Sequence, residues 1–220
     1  MKLIKATVFT AALLLATSLV GAGEPEVMGL IRNNYSGKTT IESQFDLTTY
    51  WAIREKETAK SGKLFLAPGE KFRVDLGKET FVSDGKSFWQ YSERNAQVVI
   101  RNLSEIDLSM QPSHLLSTFL TGRTFTQNKS ENGMVELVWN HTPTEEDSLK
   151  SSASYTSVTV LVEEKSGIVN TLKMTDSNGN VNTYVFRKTV LGKSIPQKVF
   201  RFKAPKGVEV LDMRESDAQN

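Results

Sequence analysis

The segment from Gly62 to Ile100 decides the fold, and it reads GKLFLAPGEKFRVDLGKETFVSDGKSFWQYSERNAQVVI. Short stretches within it alternate apolar and polar residues with the two-residue period of a β-strand. Pro68-Gly69 and Asp84-Gly85 separate these stretches, and both dipeptides supply the backbone angles that tight turns require. The segment therefore predicts consecutive antiparallel strands and not a catalytic site.

Strand and turn signals continue on both sides of this segment. Phe45 to Ile53 alternates loosely as a first strand, and the charged stretch from Arg54 to Lys60 predicts a hairpin region. Val98 to Leu103 extends the meander. Asn132-Gly133 and Asn178-Gly179 lie between further alternating runs, which is the strongest short-range signal for a β-hairpin.

Two segments carry the apolar spacing of a helix. Glu26 to Tyr35 places Val27, Leu30 and Ile31 on one side, and Gly37 follows where such a helix would end. The second helix is predicted to open at Pro112, because a proline in the first turn loses no hydrogen bond. Beyond the N-terminal signal region, this is the most apolar predicted helix. One of its faces is formed by Leu115, Leu116, Phe119 and Leu120.

About ten strands and only two helices are visible in the pattern, so most of the apolar face of the sheet must be covered by something other than helices. Three arrangements achieve this. The sheet folds onto itself as a sandwich, closes as a packed barrel, or curls around a cavity that the helices cover in part. Periodicity alone favours a packed sandwich or barrel over a cavity, but it does not decide among the three.

The N-terminus has the pattern of a signal peptide. Lys2 and Lys5 precede an apolar run from Ala6 to Val20, and Val20-Gly21-Ala22 offers small or modest residues at the cleavage positions. The run is about 15 residues long, which is shorter than the roughly 20 that span a bilayer. We therefore expect cleavage after Ala22, export of the protein, and a single mature domain over residues 23–220.

Composition excludes several classes of function. The 27 basic and 25 acidic residues nearly balance, which gives no electrostatic case for a nucleic-acid partner. The chain has no cysteine and only two histidines, His114 and His141, which do not form a metal-ligand motif. No nucleophile elbow, phosphate loop or dinucleotide fingerprint is present. We therefore predict no enzyme activity, no cofactor and no metal site.

Taken in order, the motifs resemble those of the periplasmic outer-membrane lipoprotein carrier family, LolA. The resemblance rests on the segments Gly62 to Pro68, Phe72 to Asp75, Val82 to Lys86 with Trp89 and Tyr91, the apolar helix after Pro112, and Phe202 to Asp212. It implies a mainly β fold in which a curved antiparallel sheet forms an incomplete, unclosed β-barrel around an apolar cavity. Short helices act as its lid.

The resemblance also implies a function. Such a protein is a monomeric periplasmic chaperone that binds the acyl chains of lipoproteins. An ATP-driven transporter releases these lipoproteins from the inner membrane, and the carrier brings them to an outer-membrane receptor. The alternative is a periplasmic sensor or adaptor module that uses the same fold to bind lipid or peptide.

Candidate site residues follow from the same resemblance, although alternation does not show which strand face is concave. We expect the acyl-chain cavity to be lined by Leu64, Leu66, Phe72, Val74, Trp89, Tyr91, Leu137 and Trp139. The lid helix would contribute Leu115, Leu116, Phe119 and Leu120. Ala67 occupies the position of the family's lid-contacting arginine, so that contact is missing here. Arg73 lies nearby and could replace it, although it matches a different position of the family pattern.

Overall fold

A computed structural model describes residues 25–107, 111–112, 116, 120, 123–129, 132–141 and 155–214. Strands dominate it, as the sequence predicts. Helix α1 spans Glu26–Tyr35, Pro112, Leu116 and Leu120 are also helical, and short 3₁₀ turns lie at Ala52–Arg54, Leu103–Glu105 and Gln197–Phe200. The strands are β1 (Ile41–Trp51), β2 (Lys56–Ala67), β3 (Lys71–Leu76), β4 (Glu79–Asp84), β5 (Ser87–Ser92), β6 (Gln97–Asn102), β7 (Thr126–Lys129), β8 (Met134–Asn140), β9 (Tyr155–Glu163), β10 (Val169–Asp176), β11 (Val181–Leu191) and β12 (Glu209–Asp212).

All the described strands form one open sheet in the order β12-β6-β5-β4-β3-β2-β1-β11-β10-β9-β8-β7. Two antiparallel meanders, β1 to β6 and β7 to β11, meet where β1 pairs with β11, and we call this junction the seam. β12 adds in parallel to β6 at one edge, and β7 forms the other edge. In the described residues the two edges do not pair, so the curved sheet stays unclosed and the predicted fold class is confirmed.

The turns use the residues that the sequence points to. Asn132 and Gly133 both have positive φ, 61° and 74°, which is the left-handed conformation that Asn and Gly adopt readily in hairpin turns. Pro68-Gly69 and Asn178-Gly179 likewise fall between consecutive strands, and Asp84-Gly85 leads from the last residue of β4 into the turn before β5. The hairpin predictions at these four places are confirmed.

The first hairpin differs from its prediction. β1 begins at Ile41 and ends at Trp51, and the charged stretch predicted as a hairpin region belongs mostly to β2, which starts at Lys56. Backbone pairing explains the difference, because β1 and β2 remain in register as far as the pair Trp51 and Lys56. Exposed strand ends tolerate charged side chains. The run of charged residues therefore indicated a loop where the backbone forms regular strand pairing.

Helix α1 has the predicted bounds. Val27, Met28 and Ile31 are buried, while Leu30 stays exposed. Two contacts hold the helix to the β9–β10 turn: the Val169 backbone N–H donates to Tyr35 Oη at 2.9 Å, and Asn34 Nδ2 donates to the Ser166 carbonyl at 2.8 Å. Among the described residues, no helix has both the length and the apolar character needed to cross a bilayer.

The sheet has two distinct faces. The inner face carries Phe72 and Val74 and contributes most of the main buried cluster, together with α1 and Leu116. The outer face carries Arg73 and Asp75. Part of the outer face is covered by the C-terminal segment 196–203, where Phe200 is fully buried.

Candidate functional site

An apolar cavity of about 260 Å³ lies on the inner face, across the seam. It takes residues from both meanders and from the helical positions Pro112 and Leu116. The described residues that line it are Phe45, Leu47, Leu64, Val74, Leu76, Phe81, Pro112, Leu116, Leu172, Tyr184 and Phe186.

Strand pairing at the seam brings four of these side chains together. Phe45 lies directly opposite Phe186, and Leu47 lies opposite Tyr184. Because side chains alternate along a strand, residues two apart on paired strands share one face. The Phe45 ring centroid is 6.0 Å from that of Tyr184 and 6.2 Å from that of Phe186, so an aromatic cluster forms one wall of the cavity.

Gly62 gives the Phe45 ring its position. It lies opposite Phe45 on β2, where any other residue would point its side chain toward the ring. A Cβ atom at residue 62 would lie 2.6 Å from Phe45 Cζ and 2.6 Å from the Asp75 carbonyl oxygen. The missing side chain therefore leaves the space that the ring occupies at the edge of the cavity.

The described lining contains no charged side chain, and its hydroxyl group belongs to Tyr184. Burial is the main cause that raises the pKa of Tyr184 to about 12, and nearby Tyr155 contributes to the shift. Tyr184 is therefore neutral at physiological pH. Such a lining offers hydrocarbon shielding, without a nucleophile or a general acid or base among the described residues.

A larger hollow of about 530 Å³ lies behind this one, on the outer face, and its character is polar. Asp46 accepts a hydrogen bond from Ser61 at 2.7 Å and forms an ion pair with Arg187 at 2.6 Å. These side chains have already satisfied one another, and they would have to be desolvated for an apolar ligand to bind. The smaller inner cavity is therefore the better candidate site.

Most of the residues predicted from the sequence lie on the inner face. Leu64, Val74 and Leu116 line the cavity itself. Leu66, Phe72, Leu120 and Leu137 are buried in the main cluster beside it, and Trp139 packs partly buried against that cluster. The buried and partly buried side chains of this second group pack around the cavity and do not line it.

Trp89 and Tyr91 lie on the outer face, which corrects their predicted place in the cavity. Trp89 pairs with Val82, which in turn pairs with Arg73, so the three side chains share the face opposite to Phe72 and Val74. Tyr91 packs its ring against Phe202 of the C-terminal segment, with ring centroids 5.5 Å apart. Alternation correctly grouped Trp89 with Tyr91, but the sequence contains no signal for which face is concave.

Only part of the predicted lid lies among the described residues. Leu115, Phe119 and the predicted signal peptide at residues 1–22 lie outside the described residues. Ala67 ends β2 and alternates with the inner-face residue Leu66, and it therefore points toward the outer face. Arg73 is on the outer face too, ion-paired with Asp75 at 2.9 Å, so its suggested role as a substitute lid contact is wrong.

The sequence prediction missed residues on the far side of the seam. Leu172, Tyr184 and Phe186 belong to the alternating runs on either side of Asn178-Gly179, but their place in the cavity depends on the pairing of β1 with β11. That pairing joins segments more than one hundred positions apart, and no local pattern encodes it. The sequence prediction also omits five lining residues nearer the start of the chain, because the sequence does not show which side chains point into the cavity. They are Phe45, Leu47, Leu76, Phe81 and Pro112.

Near the C-terminal end of β8, three side chains stack. The Arg123 Cζ atom lies 3.7 Å from the centroid of a Trp139 ring, and the His141 ring lies nearly parallel to Trp139 with centroids 5.5 Å apart. Burial lowers the pKa of the Arg123 guanidinium. In the described part of the chain, no group of three or more His, Asp or Glu residues is placed to hold a metal ion.

Comparison with known proteins agrees with this architecture. The family model of the outer membrane lipoprotein carrier protein LolA matches residues 36–203. An outer-membrane lipoprotein carrier protein of Chromobacterium violaceum is 26% identical over 202 residues, which cover 90% of this chain and 93% of the relative. One from Pseudomonas paraeruginosa is 26% identical over 217 residues, covering 96% and 99%.

A solved structure shares the fold at low identity. The crystal structure of an uncharacterized conserved protein from Thermus thermophilus is similar with a TM-score of 0.51 at 12% identity, over 85% of this chain and 97% of that one. Its similarity concerns the fold alone, while the family match extends over most of the chain. From its open sheet, its apolar cavity and the match over residues 36–203, the chain belongs to the outer membrane lipoprotein carrier protein family, LolA.

Proposed function

We propose that this protein binds the acyl chains of lipoproteins in the inner-face cavity and carries them across the periplasm. The observation that carries the proposal is the cavity lining, whose described residues are apolar or aromatic on all the contributing strands. A hydrocarbon chain gains from such a lining without any directional contact. Membership of the carrier family supports the same function.

A carrier is needed because acyl chains do not leave a bilayer unaided. Each methylene transferred to water costs about 0.8 kcal/mol, so the chains of one lipoprotein sum to tens of kcal/mol. An apolar cavity offsets this cost by shielding the chain. Among its described residues the wall has one hydroxyl group, that of the neutral Tyr184, so it holds the chain without fixing its orientation, which permits release.

The cavity is small for this cargo. A methylene group fills about as much space as a water molecule, about 30 Å³, so a volume of about 260 Å³ accommodates about nine methylenes. A lipoprotein carries more hydrocarbon than that. We infer that the cavity widens when cargo enters, with the helical cover that includes Leu116 as the part that gives way.

The wider pathway is proposed with the function. Residues 1–22 are removed as a signal peptide, and residues 23–220 act as one monomeric domain in the periplasm. An ATP-driven inner-membrane transporter supplies the lipoprotein, and an outer-membrane receptor accepts it. The protein acts as a chaperone and not as an enzyme.

The variant Val74→Trp tests the cavity directly. Val74 lines the cavity, so the larger side chain should fill empty volume, keep the free energy of unfolding near that of the wild type, and weaken binding of a fluorescent fatty-acid probe by at least about tenfold. Val82→Trp is the matched control, because Val82 is fully buried on the outer face of the neighbouring strand. Overpacking there should cost about 1–3 kcal/mol of stability.

A transfer assay separates carriage from mere binding. Wild-type protein loaded with an acylated lipoprotein should deliver it to outer-membrane vesicles, and Val74→Trp should not take it up. Equal probe binding by the wild type and Val74→Trp would contradict the proposed cavity. Tight binding of the probe without any delivery of lipoprotein would instead identify a sensor or adaptor.

A further inference from the structure

The tip of the β1–β2 hairpin displays apolar side chains to solvent. Ile53 is 88% exposed, Trp51 is 44% exposed and Tyr50 is 38% exposed. Ile53 is the most exposed large apolar side chain in the described part of the chain. We call the segment from Tyr50 to Glu57, two residues that pair with each other across the strands, the hairpin tip.

The hairpin tip is a defined structure. The Glu55 backbone N–H donates to the Ala52 carbonyl at 3.3 Å, which closes the 3₁₀ turn, and Glu55 adopts a left-handed conformation with φ of 47°. The Ala52 backbone N–H donates to Asn180 Oδ1 at 3.0 Å. Asn180 is itself held by Asp176 through two hydrogen bonds of 2.9 Å. Ile53 is therefore presented outward by an ordered framework.

The size and composition of the hairpin tip indicate what it contacts. Three side chains make a surface far smaller than the roughly 1,000 Å² that a stable protein interface buries. Tryptophan and tyrosine favour the interface between lipid headgroups and hydrocarbon, and an aliphatic residue at the apex reaches the acyl chains. Arg54 and Lys56 are balanced by Glu55 and Glu57, so the tip has no charge that would bind it to an acidic or basic protein surface.

The hairpin tip continues the strands that line the cavity. Leu47, a cavity residue, lies on β1 four positions before Trp51, which corresponds to about 13 Å along an extended strand. Leu47 and Trp51 alternate onto the same face of β1. A bilayer in contact with the tip would therefore lie close to the cavity end formed by Leu47 and Tyr184.

We propose that the hairpin tip inserts Ile53 and Trp51 into the interfacial layer of a lipid bilayer, and thereby holds the cavity beside the membrane during acyl-chain exchange. The inference rests on the proposed acyl-chain binding and adds a membrane-contact site to it. The contact is weak and reversible, since one isoleucine and one tryptophan provide the insertion. It depends little on anionic lipid, because the charges at the tip cancel.

Vesicle co-flotation of the mature protein tests the proposal. Vesicles of phosphatidylethanolamine with a minority of phosphatidylglycerol serve as the probe, beside vesicles of phosphatidylcholine alone. We expect Ile53→Glu to weaken partitioning about tenfold or more, because transferring one aliphatic side chain from water changes the equilibrium by roughly that factor. Met213→Glu is the matched control: Met213 is 57% exposed next to β12, at the far edge of the sheet, and its substitution should leave partitioning unchanged.

Tryptophan fluorescence provides a second measurement. Vesicles should shift the emission of the wild type to shorter wavelength, and the shift should disappear in Trp51→Phe, which retains Trp89 and Trp139. The membrane contact is overturned if the wild type does not partition, or if Ile53→Glu and Met213→Glu partition equally. Either of those results would leave a protein partner as the reason for the exposed tip.

Binding of the fluorescent fatty-acid probe distinguishes this proposal from the proposed function. Ile53→Glu should bind the probe as the wild type does, because residue 53 is outside the cavity lining. Val74→Trp should lose probe binding and still partition onto vesicles. Failure of the membrane contact and failure of the acyl-chain site therefore give different patterns across the two assays.

Discussion

At the scale of single residues, the shape of the cavity depends on a side chain that is absent. Gly62 lies where the ring of Phe45 passes over β2, and it has an ordinary strand environment on both sides. A glycine within a strand normally weakens it, and such a position often marks a close approach by another group. Here that group is the aromatic wall of the cavity.

Gly62→Ala should therefore destabilise the protein by about 1–3 kcal/mol, since the new methyl group would meet Phe45 and the Asp75 carbonyl. Relief of the clash by rotation of the Phe45 ring should also weaken binding of the fatty-acid probe. Chemical denaturation measures the first effect. Gly29→Ala is the control, because Gly29 is exposed on α1 with no atom within 4 Å of its Cβ position, and it should gain roughly 0.5–1 kcal/mol. Equal effects of the two substitutions would show that the Phe45 contact is unimportant.

At the scale of elements, the C-terminal segment stabilises the sheet by packing on its outer face. Phe200 is 1% exposed and lies on the outer face, where Val82 and Val98 are also buried. β12 then pairs in parallel with β6, and the Met213 backbone N–H donates to the Ile100 carbonyl at 2.8 Å. Because this layer and the cavity lie on opposite faces, stability and ligand binding should respond separately to substitution.

Phe200→Ala should cost about 3–5 kcal/mol in the free energy of unfolding, as truncation of a buried aromatic residue usually does. Measured well below its melting temperature, the variant should bind the fatty-acid probe with unchanged affinity. Phe200→Leu should show a smaller loss of stability and serves if Phe200→Ala does not fold. A parallel loss of probe affinity in Phe200→Leu would mean that the outer layer shapes the cavity after all.

Elements with local signals were predictable from the sequence, and those with distant partners were not. α1 and the four turn dipeptides were found because capping and turn residues act over a few positions. The antiparallel order of β2 to β6 follows from these turns, because each turn reverses the direction of the chain. The seam and the C-terminal layer depend on contacts between segments far apart in the chain, so Tyr184 and Phe186 were missed and Trp89 and Tyr91 were assigned to the wrong face.

At the scale of the whole molecule, the volume of the cavity limits what it holds without widening. Fatty acids of increasing length should gain about fourfold in affinity for each added methylene up to about nine carbons, since each buried methylene contributes about 0.8 kcal/mol. Longer chains should gain much less, because part of their burial is offset by opening the cover. Calorimetric titration of a chain-length series measures the slope, and an unbroken slope through sixteen carbons would contradict a limiting volume.

The seam also has a consequence for how the chain acquires its structure. Ile41 pairs with Leu191, 150 positions further along, whereas the pairings within each meander join neighbouring strands. Closing so long a loop costs more chain entropy than forming a hairpin, and the seam should therefore assemble late in folding. Phe45 and Leu47 stand on one side of it, with Tyr184 and Phe186 on the other. The cavity wall is therefore incomplete until the chain as far as β11 has been synthesised, so we expect hydrocarbon to bind only after that point.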